Sequence, residues 1–300
     1  MTSKTALPTI LKTMRPPFLV LTLACIFLGV STSIYADSPI DIAMLILVFI
    51  GAMAAHISVN MLNEYHDFNS GLDLKTNRTP FSGGSGALPS NPNIAKWVLV
   101  FGLLALFITV AIGLYFMVTI GTAILPIGLV GLVIIVTYTQ WLNRMPVVCL
   151  IAPGLGFGLL MVVGTHLVLT LGYSQLVWLL SLVPFFLVNN LLLLNQYPDM
   201  QADASVGRKT FPLAFGIERS NGVYALFMVA AYSLILLYVL AGILPMISII
   251  AIIPMGLSIF SLLGAIKHKA NIGSFPQHLA ANVAATILTP VLLGVSILIG

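Results

Sequence analysis

The chain has 300 residues, 59% of them hydrophobic and only 7% charged, with a mean hydropathy of +1.10 and a formal net charge of +4. That composition excludes a water-soluble globular domain and leaves an integral membrane protein. No basic stripe interleaved with aromatics accompanies the excess of Lys and Arg, so nucleic-acid binding is excluded as well, and the basic balance reads as loops facing anionic lipid.

In chain order, Lys4, Lys12 and Arg15 precede the first apolar run, Pro17–Tyr35. The arrangement imitates a signal peptide, but the further runs behind it favour an anchor that stays in place. Eight more runs follow: Ile42–Leu62, Trp97–Thr119, Ala123–Thr139, Val147–Leu171, Leu176–Leu194, Val223–Leu240, Leu244–Ile266 and Leu279–Ile299. Runs of about 18 or more apolar residues are membrane-spanning helices, because lipid offers no partner to unpaired backbone groups. The alternating segments of a membrane barrel are absent. The sequence therefore predicts an all-α polytopic bundle of nine transmembrane helices forming a single domain over residues 1–300. With nine spans, all twelve Lys and Arg fall at the N-terminus or in even-numbered loops, which predicts a cytoplasmic N-terminus. Cys25 and Cys149 lie inside spans and imply neither a disulfide nor a metal site.

Two polar islands interrupt the apolar pattern. The first is Asn63-Glu64-Tyr65-His66-Asp67-Phe68-Asn69-Ser70-Gly71-Leu72-Asp73, after the second span; the other is Asn195-Gln196-Tyr197-Pro198-Asp199-Met200-Gln201-Ala202-Asp203, after the sixth. Each opens with Asn, places Asp four residues later and adds a second Asp. These four Asp are half of the eight acidic residues in the chain. Acids beside membrane helices are costly and mark a site. A spacing of four puts Asn63 with Asp67, and Asn195 with Asp199 and Asp203, on one helical face, while Ser70-Gly71 and Pro198 loosen or end the helices locally. The islands lie four spans apart, the spacing of a weak parallel repeat.

Oxygen ligands facing each other across a bundle suit a hard cation such as Mg²⁺, which bridges carboxylates to phosphate oxygens. Lys75, Arg78, Arg208 and Lys209 are candidates to meet phosphate oxygens, with the positive-inside bias as the competing reading. Tyr65, Tyr138 and Tyr197 are either aromatic faces for a cation or interfacial aromatics. Gly83-Gly84-Ser85-Gly86 is either a phosphate cradle or a flexible loop. His66 is expected to be a polar surface residue, His56 and His166 to make interhelical hydrogen bonds, and Glu64 and Glu218 have no role at this level. A diphosphate head with a hydrocarbon tail is the ligand such a site calls for.

These motifs resemble those of the UbiA superfamily of intramembrane prenyltransferases. Asn63, Asp67 and Asp73 match its first Asp-rich motif, and Asn195, Asp199 and Asp203 its second. Gly207-Arg208-Lys209-Thr210, Arg15-Pro16 and the stretch Leu155-Gly156-Phe157-Gly158 to Gly164-Thr165 are similar to further family segments. The spacing of six from Asp67 to Asp73 is most like the 1,4-dihydroxy-2-naphthoate polyprenyltransferases of menaquinone synthesis. Two departures, Tyr138-Thr139-Gln140-Trp141-Leu142 in place of a Tyr-Thr-x-Pro-Pro segment and Leu150 in place of an acid, bear on the acceptor.

The resemblance implies that the four Asp, helped by Asn63 and Asn195, bind Mg²⁺ and are the catalytic groups. It further implies that the donor is a polyprenyl diphosphate, that the acceptor is aromatic, and that the protein sits in the bilayer of a bacterial inner membrane. Its active face would be cytoplasmic and it would need no obligate protein partner. Transfer to 4-hydroxybenzoate, another phenol or a glycerol-type alcohol is the alternative chemistry; a secondary transporter is the alternative class.

Overall fold

The computed structural model describes residues 6–300 as a bundle of helices, with no strand among them. Lys4 lies outside the described residues. The principal helices are α1 (Val20–Tyr35), α2 (Ile42–Asn69), α3 (Ala95–Ile120), α4 (Leu125–Thr137), α5 (Pro146–Thr170), α6 (Gln175–Asn195), α7 (Ile217–Leu240), α8 (Met255–His268) and α9 (Pro276–Ile299). Eight segments of the described chain are long and apolar enough to cross a membrane. The segment expected as the fourth span is the exception, a shorter apolar helix over Thr122–Thr137.

α6 is the inner helix and α3 the outer one: 61% of the apolar window of α6 is buried against 17% for α3. α6 packs against α5, α7 and α9, and the main core of Leu180, Val183, Leu187, Tyr224, Ile235 and Leu293 gathers around it. Lipid is as apolar as these side chains, so close packing rather than water exclusion holds the helices together. Gly154 and Gly158 show how close that packing is. A Cβ at either would overlap the backbone of Phe185 in α6. Around them α5 relaxes into a π-helical stretch, Gly154–Met161, a form that is rare and often found at functional sites.

Buried polar contacts tie the remaining helices. His56 Nδ1 meets Thr22 Oγ1 at 2.8 Å and His166 Nδ1 meets Thr32 Oγ1 at 3.0 Å, which are the interhelical bonds expected of these histidines. Asp41 caps α2 by accepting from the amides of Ala43 and Met44. The short helix Ala6–Thr13 packs through Ile10 onto Met61 and Leu88, so the described chain starts at the end of the bundle where α2 finishes. Gly300 lies beside Pro245 and Ile247, in the α7–α8 connection at the other end.

Candidate active site

The first island is more helical than a loop. α2 continues to Asn69, which keeps Asn63 and Asp67 one turn apart on the face that lines a central cavity. Gly71, at φ 76°, ends the helix in the left-handed conformation that glycine adopts without strain. The chain then turns back through the short helix Leu72–Lys75, burying Asp73 to 3% exposure. The second island is not one continuous helical face. α6 stops at Asn195, a turn carries the chain past Pro198, and a new short helix begins at Met200. Asp203 N–H donates to Asp199 O at 2.9 Å, so the spacing of four is restored only after the break.

The two islands meet through Arg208. Its guanidinium pairs with Asp67 Oδ1 and, at 3.0 Å, with Asp203 Oδ1. Burial alone would lower Arg208, but the carboxylates of Asp67 and Asp203 hold it above its ordinary range. Gly207, at φ 77°, makes the turn that folds Arg208 back. Burial pushes Asp73 up to about 7, with the Glu64 and Asp67 charges adding to it. Burial also pushes Asp199 up to about 7, reinforced by Asp203 and opposed by the Gly83 amide. Asp203 is raised by burial against the pull of Arg208.

The Gly83–Gly86 segment is held as a strap between the islands rather than left as a free loop, and Gly83 and Gly84 line the cavity. Gly83 N–H donates to Asp199 Oδ2 at 3.1 Å. Ser85 donates its amide to Glu64 Oε1 at 2.6 Å and its hydroxyl to Glu64 Oε2 at 2.7 Å. A Cβ on Gly84 would stand 2.9 Å from Asp73 Oδ1, so glycine is what lets the strap lie against the acids. Glu64, without a role in the sequence reading, is fully buried and accepts from Arg15 Nε at 2.8 Å. It fixes Arg15 and the strap to α2. The only signal in the sequence was an acid at the first turn of a motif, one of eight in the chain.

Of the residues singled out from sequence, Asn63, Asp67, Asp73, Tyr138, Asn195, Asp199, Asp203 and Arg208 line one cavity. Lys75, Arg78, Lys209, Tyr65 and Tyr197 do not. Lys75 and Lys209 are exposed, and Lys209 contributes its backbone amide to Asn143 O. Arg78 donates to the backbone carbonyl of Asp73 at 2.8 Å and thus braces the motif from outside. Tyr65 packs on the cluster of Met61 and Leu88 and edges onto His66. Tyr197 is buried in the main core, 1% exposed, with its hydroxyl bonded to Asn221 Oδ1 at 2.9 Å. A tyrosine at the turn after α6 faces inward because the turn reverses the side-chain direction that a continuing helix would give. His66 is half-buried and bonds Gln140 Nε2.

The cavity has a volume of about 580 Å³. Its mouth carries the polar islands, and it continues between α2, α3, α4 and α5 past Val48, Ile112, Phe116, Ile127 and Leu160. Among the described residues no three His, Cys, Asp or Glu side chains form a ready-made metal cluster; Arg208 already binds two of the carboxylates. Yet Asp73 Oδ2, Asp199 Oδ1 and Asn195 Oδ1 are buried oxygens without a hydrogen-bond partner. Unpaired oxygens of this kind are the donors a hard divalent cation takes, and leaving them unmatched is costly, so the residues present fit Mg²⁺.

The chain is similar to the 1,4-dihydroxy-2-naphthoate octaprenyltransferase of Bacillus subtilis (strain 168), at 24% identity over 76% of this chain and 72% of that protein. The enzyme of the same name from Haemophilus influenzae is 25% identical over 73% of each. Among solved structures, one described as digeranylgeranylglyceryl phosphate synthase superposes with a TM-score of 0.69 at 18% identity, covering 98% of this chain and 99% of that one. A UbiA homolog from Archaeoglobus fulgidus bound to GPP and Mg²⁺ superposes with a TM-score of 0.66 at 15% identity, covering 97% of this chain and 100% of that one. At these identities the structures establish a shared fold. The UbiA prenyltransferase family model matches residues 16–276, nearly the whole chain and both polar islands, and the chain belongs to that family.

Proposed function

We propose that this prenyltransferase moves a polyprenyl group from its diphosphate to an aromatic ring, with 1,4-dihydroxy-2-naphthoate as the acceptor and Mg²⁺ as the cofactor. The observation that carries the proposal is the single cavity that joins unpaired carboxylate and amide oxygens at its mouth to a long apolar interior. The naphthoate acceptor is supported by the two curated relatives of that name and by the six-residue spacing from Asp67 to Asp73.

In this reading Asp67, Asp73, Asp199 and Asp203, with Asn63 and Asn195, hold the metal-bound diphosphate. Bound Mg²⁺ supplies Lewis-acid stabilisation to the departing phosphate oxygens. The C1–O bond of the donor breaks and the diphosphate leaves with the electron pair. A ring carbon supplies the pair for the new C–C bond, and in the naphthoate case the carboxylate on that carbon leaves as CO₂. Arg15 and Arg208, both at the cavity mouth, put fixed positive charge beside the departing anion. Tyr138 lines the cavity, and an aromatic ring there is suited to the allylic cation. The apolar lining excludes the water that would trap that cation.

The topology belongs to the same proposal. The described chain starts at the motif end and finishes at the opposite end, which calls for an odd number of crossings; Thr122–Thr137 then serves as a short ninth crossing. The positive-inside distribution puts the motif end in the cytoplasm, with the protein in a bacterial inner membrane.

The test is purified protein in detergent with radiolabelled prenyl diphosphate and a panel of aromatic acceptors. Transfer to 1,4-dihydroxy-2-naphthoate, abolished by EDTA and restored by Mg²⁺, is expected. Preferred transfer to 4-hydroxybenzoate or a glycerol-type alcohol overturns the acceptor assignment. Metal-independent transfer overturns the role of the acids.

A further inference from the structure

Six of the eight buried side-chain atoms without a hydrogen-bond partner line the central cavity. Three of them are the oxygens of Asp73, Asn195 and Asp199 that fit a metal. The other three, Asn143 Oδ1, Gln196 Oε1 and Thr210 Oγ1, have no place in metal or diphosphate binding as described above. Asn143 is the most constrained of them. It is 5% exposed and sits in the α4–α5 connection. Its Nδ2 donates to the carbonyl of Thr139, a group that can only accept, so the amide cannot be turned over. Its backbone carbonyl is pinned by Lys209 N–H at 2.9 Å. Both ends of the residue are therefore fixed, and Oδ1 is left as a buried acceptor looking for a donor.

The chemistry narrows what that donor can be. Diphosphate oxygens are acceptors and would repel Oδ1. A second metal is disfavoured by the neighbours: Arg144 and Arg208 line, with Asn143 and Asp67, a smaller cavity of about 330 Å³ that adjoins the site, and Arg208 already pairs with that carboxylate. A hydroxyl remains, since it donates a proton to Oδ1 and carries no charge into a setting already provided with two guanidinium groups. We infer that Asn143 is a specificity residue that accepts a hydrogen bond from a ring hydroxyl of the aromatic acceptor, at the α4–α5 edge of the cavity. Gln196 Oε1 and Thr210 Oγ1 extend the same polar wall. The bond also leans the hydroxyl proton away from the ring oxygen, which raises electron density on the ring carbon that attacks. This inference rests on the aromatic-acceptor reading above.

The experiment measures kcat/KM for purified enzyme with geranyl diphosphate, Mg²⁺ and either 1,4-dihydroxy-2-naphthoate or each of its two mono-O-methyl ethers. A site built around a hydroxyl rejects an analogue that lacks it by a large factor, because the site's own polar group is left unpaired. The wild type is expected to disfavour one ether by about 30-fold or more. In Asn143→Leu, activity on the dihydroxy acceptor falls about 10- to 100-fold, and the two compounds become equivalent within about threefold. The KM for geranyl diphosphate and the Mg²⁺ half-saturation stay at wild-type values. Asn143→Ala, which removes the same acceptor without added bulk, is expected to lose the discrimination in the same way, and it stands in should the leucine variant not fold.

Unchanged discrimination in Asn143→Leu overturns the inference while leaving the transferase reading intact. A change in donor KM or Mg²⁺ dependence in place of acceptor preference also overturns it. A wild type that prenylates no hydroxyarene overturns the functional reading and this inference together.

Discussion

Glu64 offers a sharp test of how the site is held, because it does not itself line the cavity and yet has every oxygen engaged. Its carboxylate receives Arg15 Nε at 2.8 Å, Arg15 Nη2 at 2.7 Å, and the Ser85 amide and hydroxyl at 2.6 and 2.7 Å. Glu64→Ala leaves the Arg15 charge and the Ser85 amide without their partner. Breaking a fully buried pair costs about 3–5 kcal/mol. The Arg15 side chain is 23% exposed, so water recovers part of that loss and about 2–3 kcal/mol is the better figure.

The loss falls on the strap whose Gly83 amide holds Asp199. If it is expressed in the transition state at about 1.4 kcal/mol per tenfold, kcat/KM drops about 30- to 150-fold. Glu64→Gln keeps the shape and one accepting oxygen and should lose about tenfold. The assay is steady-state prenyl transfer at a series of Mg²⁺ concentrations, with helical content checked by circular dichroism and the exposed Glu218→Gln as control. A variant whose acid is removed at position 64 but whose rate stays within twofold of wild type, at every metal concentration, would refute the positioning role.

Four further outcomes follow from the same geometry. Asp73 and Asp199 take up protons as pH falls through about 7, so transfer should decline in acid with a limiting slope approaching two protons. Added Mg²⁺ competes with those protons and should move the decline to lower pH; a flat profile from pH 5.5 to 8 would contradict this. In metal-free protein the sign for stability is the opposite of that for an ordinary paired carboxylate. The folded state binds more protons than the unfolded one between the ordinary value of 3.8 and about 7, so thermal stability should fall as pH rises through that window. Tyr197→Phe removes the hydroxyl bonded to Asn221 and should lower Tm by a few degrees with kcat unchanged, whereas Tyr138→Leu, which takes away the aromatic ring at the cavity, should lower kcat about tenfold; reversed effects on kcat would exchange their roles. Gly158→Ala forces a methyl onto the α6 backbone and should cost about 1–3 kcal/mol, seen as a lower melting temperature in detergent; an unaltered melting curve would mean that the close approach is not required.

Much of this architecture was legible in the sequence, for a simple reason. Lipid imposes long apolar helices, and every departure from apolarity therefore stands out. The two islands were visible as Asn-x₃-Asp repeats, and the structure brings Asp67, Asp73, Asp199 and Asp203 to one cavity. The ends of the helices were less legible. α2 runs on to Asn69 because its polar last turns lie at the cavity rather than in lipid, and hydropathy cannot see that. Five residues were assigned chiefly by charge or aromaticity: Lys75, Arg78, Lys209, Tyr65 and Tyr197. Tyr65 sits within α2 and packs against Met61 and Leu88 instead of the cavity; the others lie beyond a helix break, where the direction of a side chain depends on the turn. Arg208 was read as a phosphate partner but spans the two islands, a contact between residues far apart in the chain that no local pattern encodes. Glu64 and Asn143 escaped notice because each is a single polar residue whose importance comes from what surrounds it in space.

The most direct measurement is anomalous diffraction from crystals grown with Mn²⁺ in place of Mg²⁺ and a non-hydrolysable prenyl diphosphate analogue. The account predicts Mn²⁺ between the diphosphate and the carboxylates of Asp67, Asp73, Asp199 and Asp203, with the prenyl chain running toward Phe116. Metal found away from all four carboxylates, or a diphosphate seated on Lys75 and Lys209 outside the cavity, would contradict it.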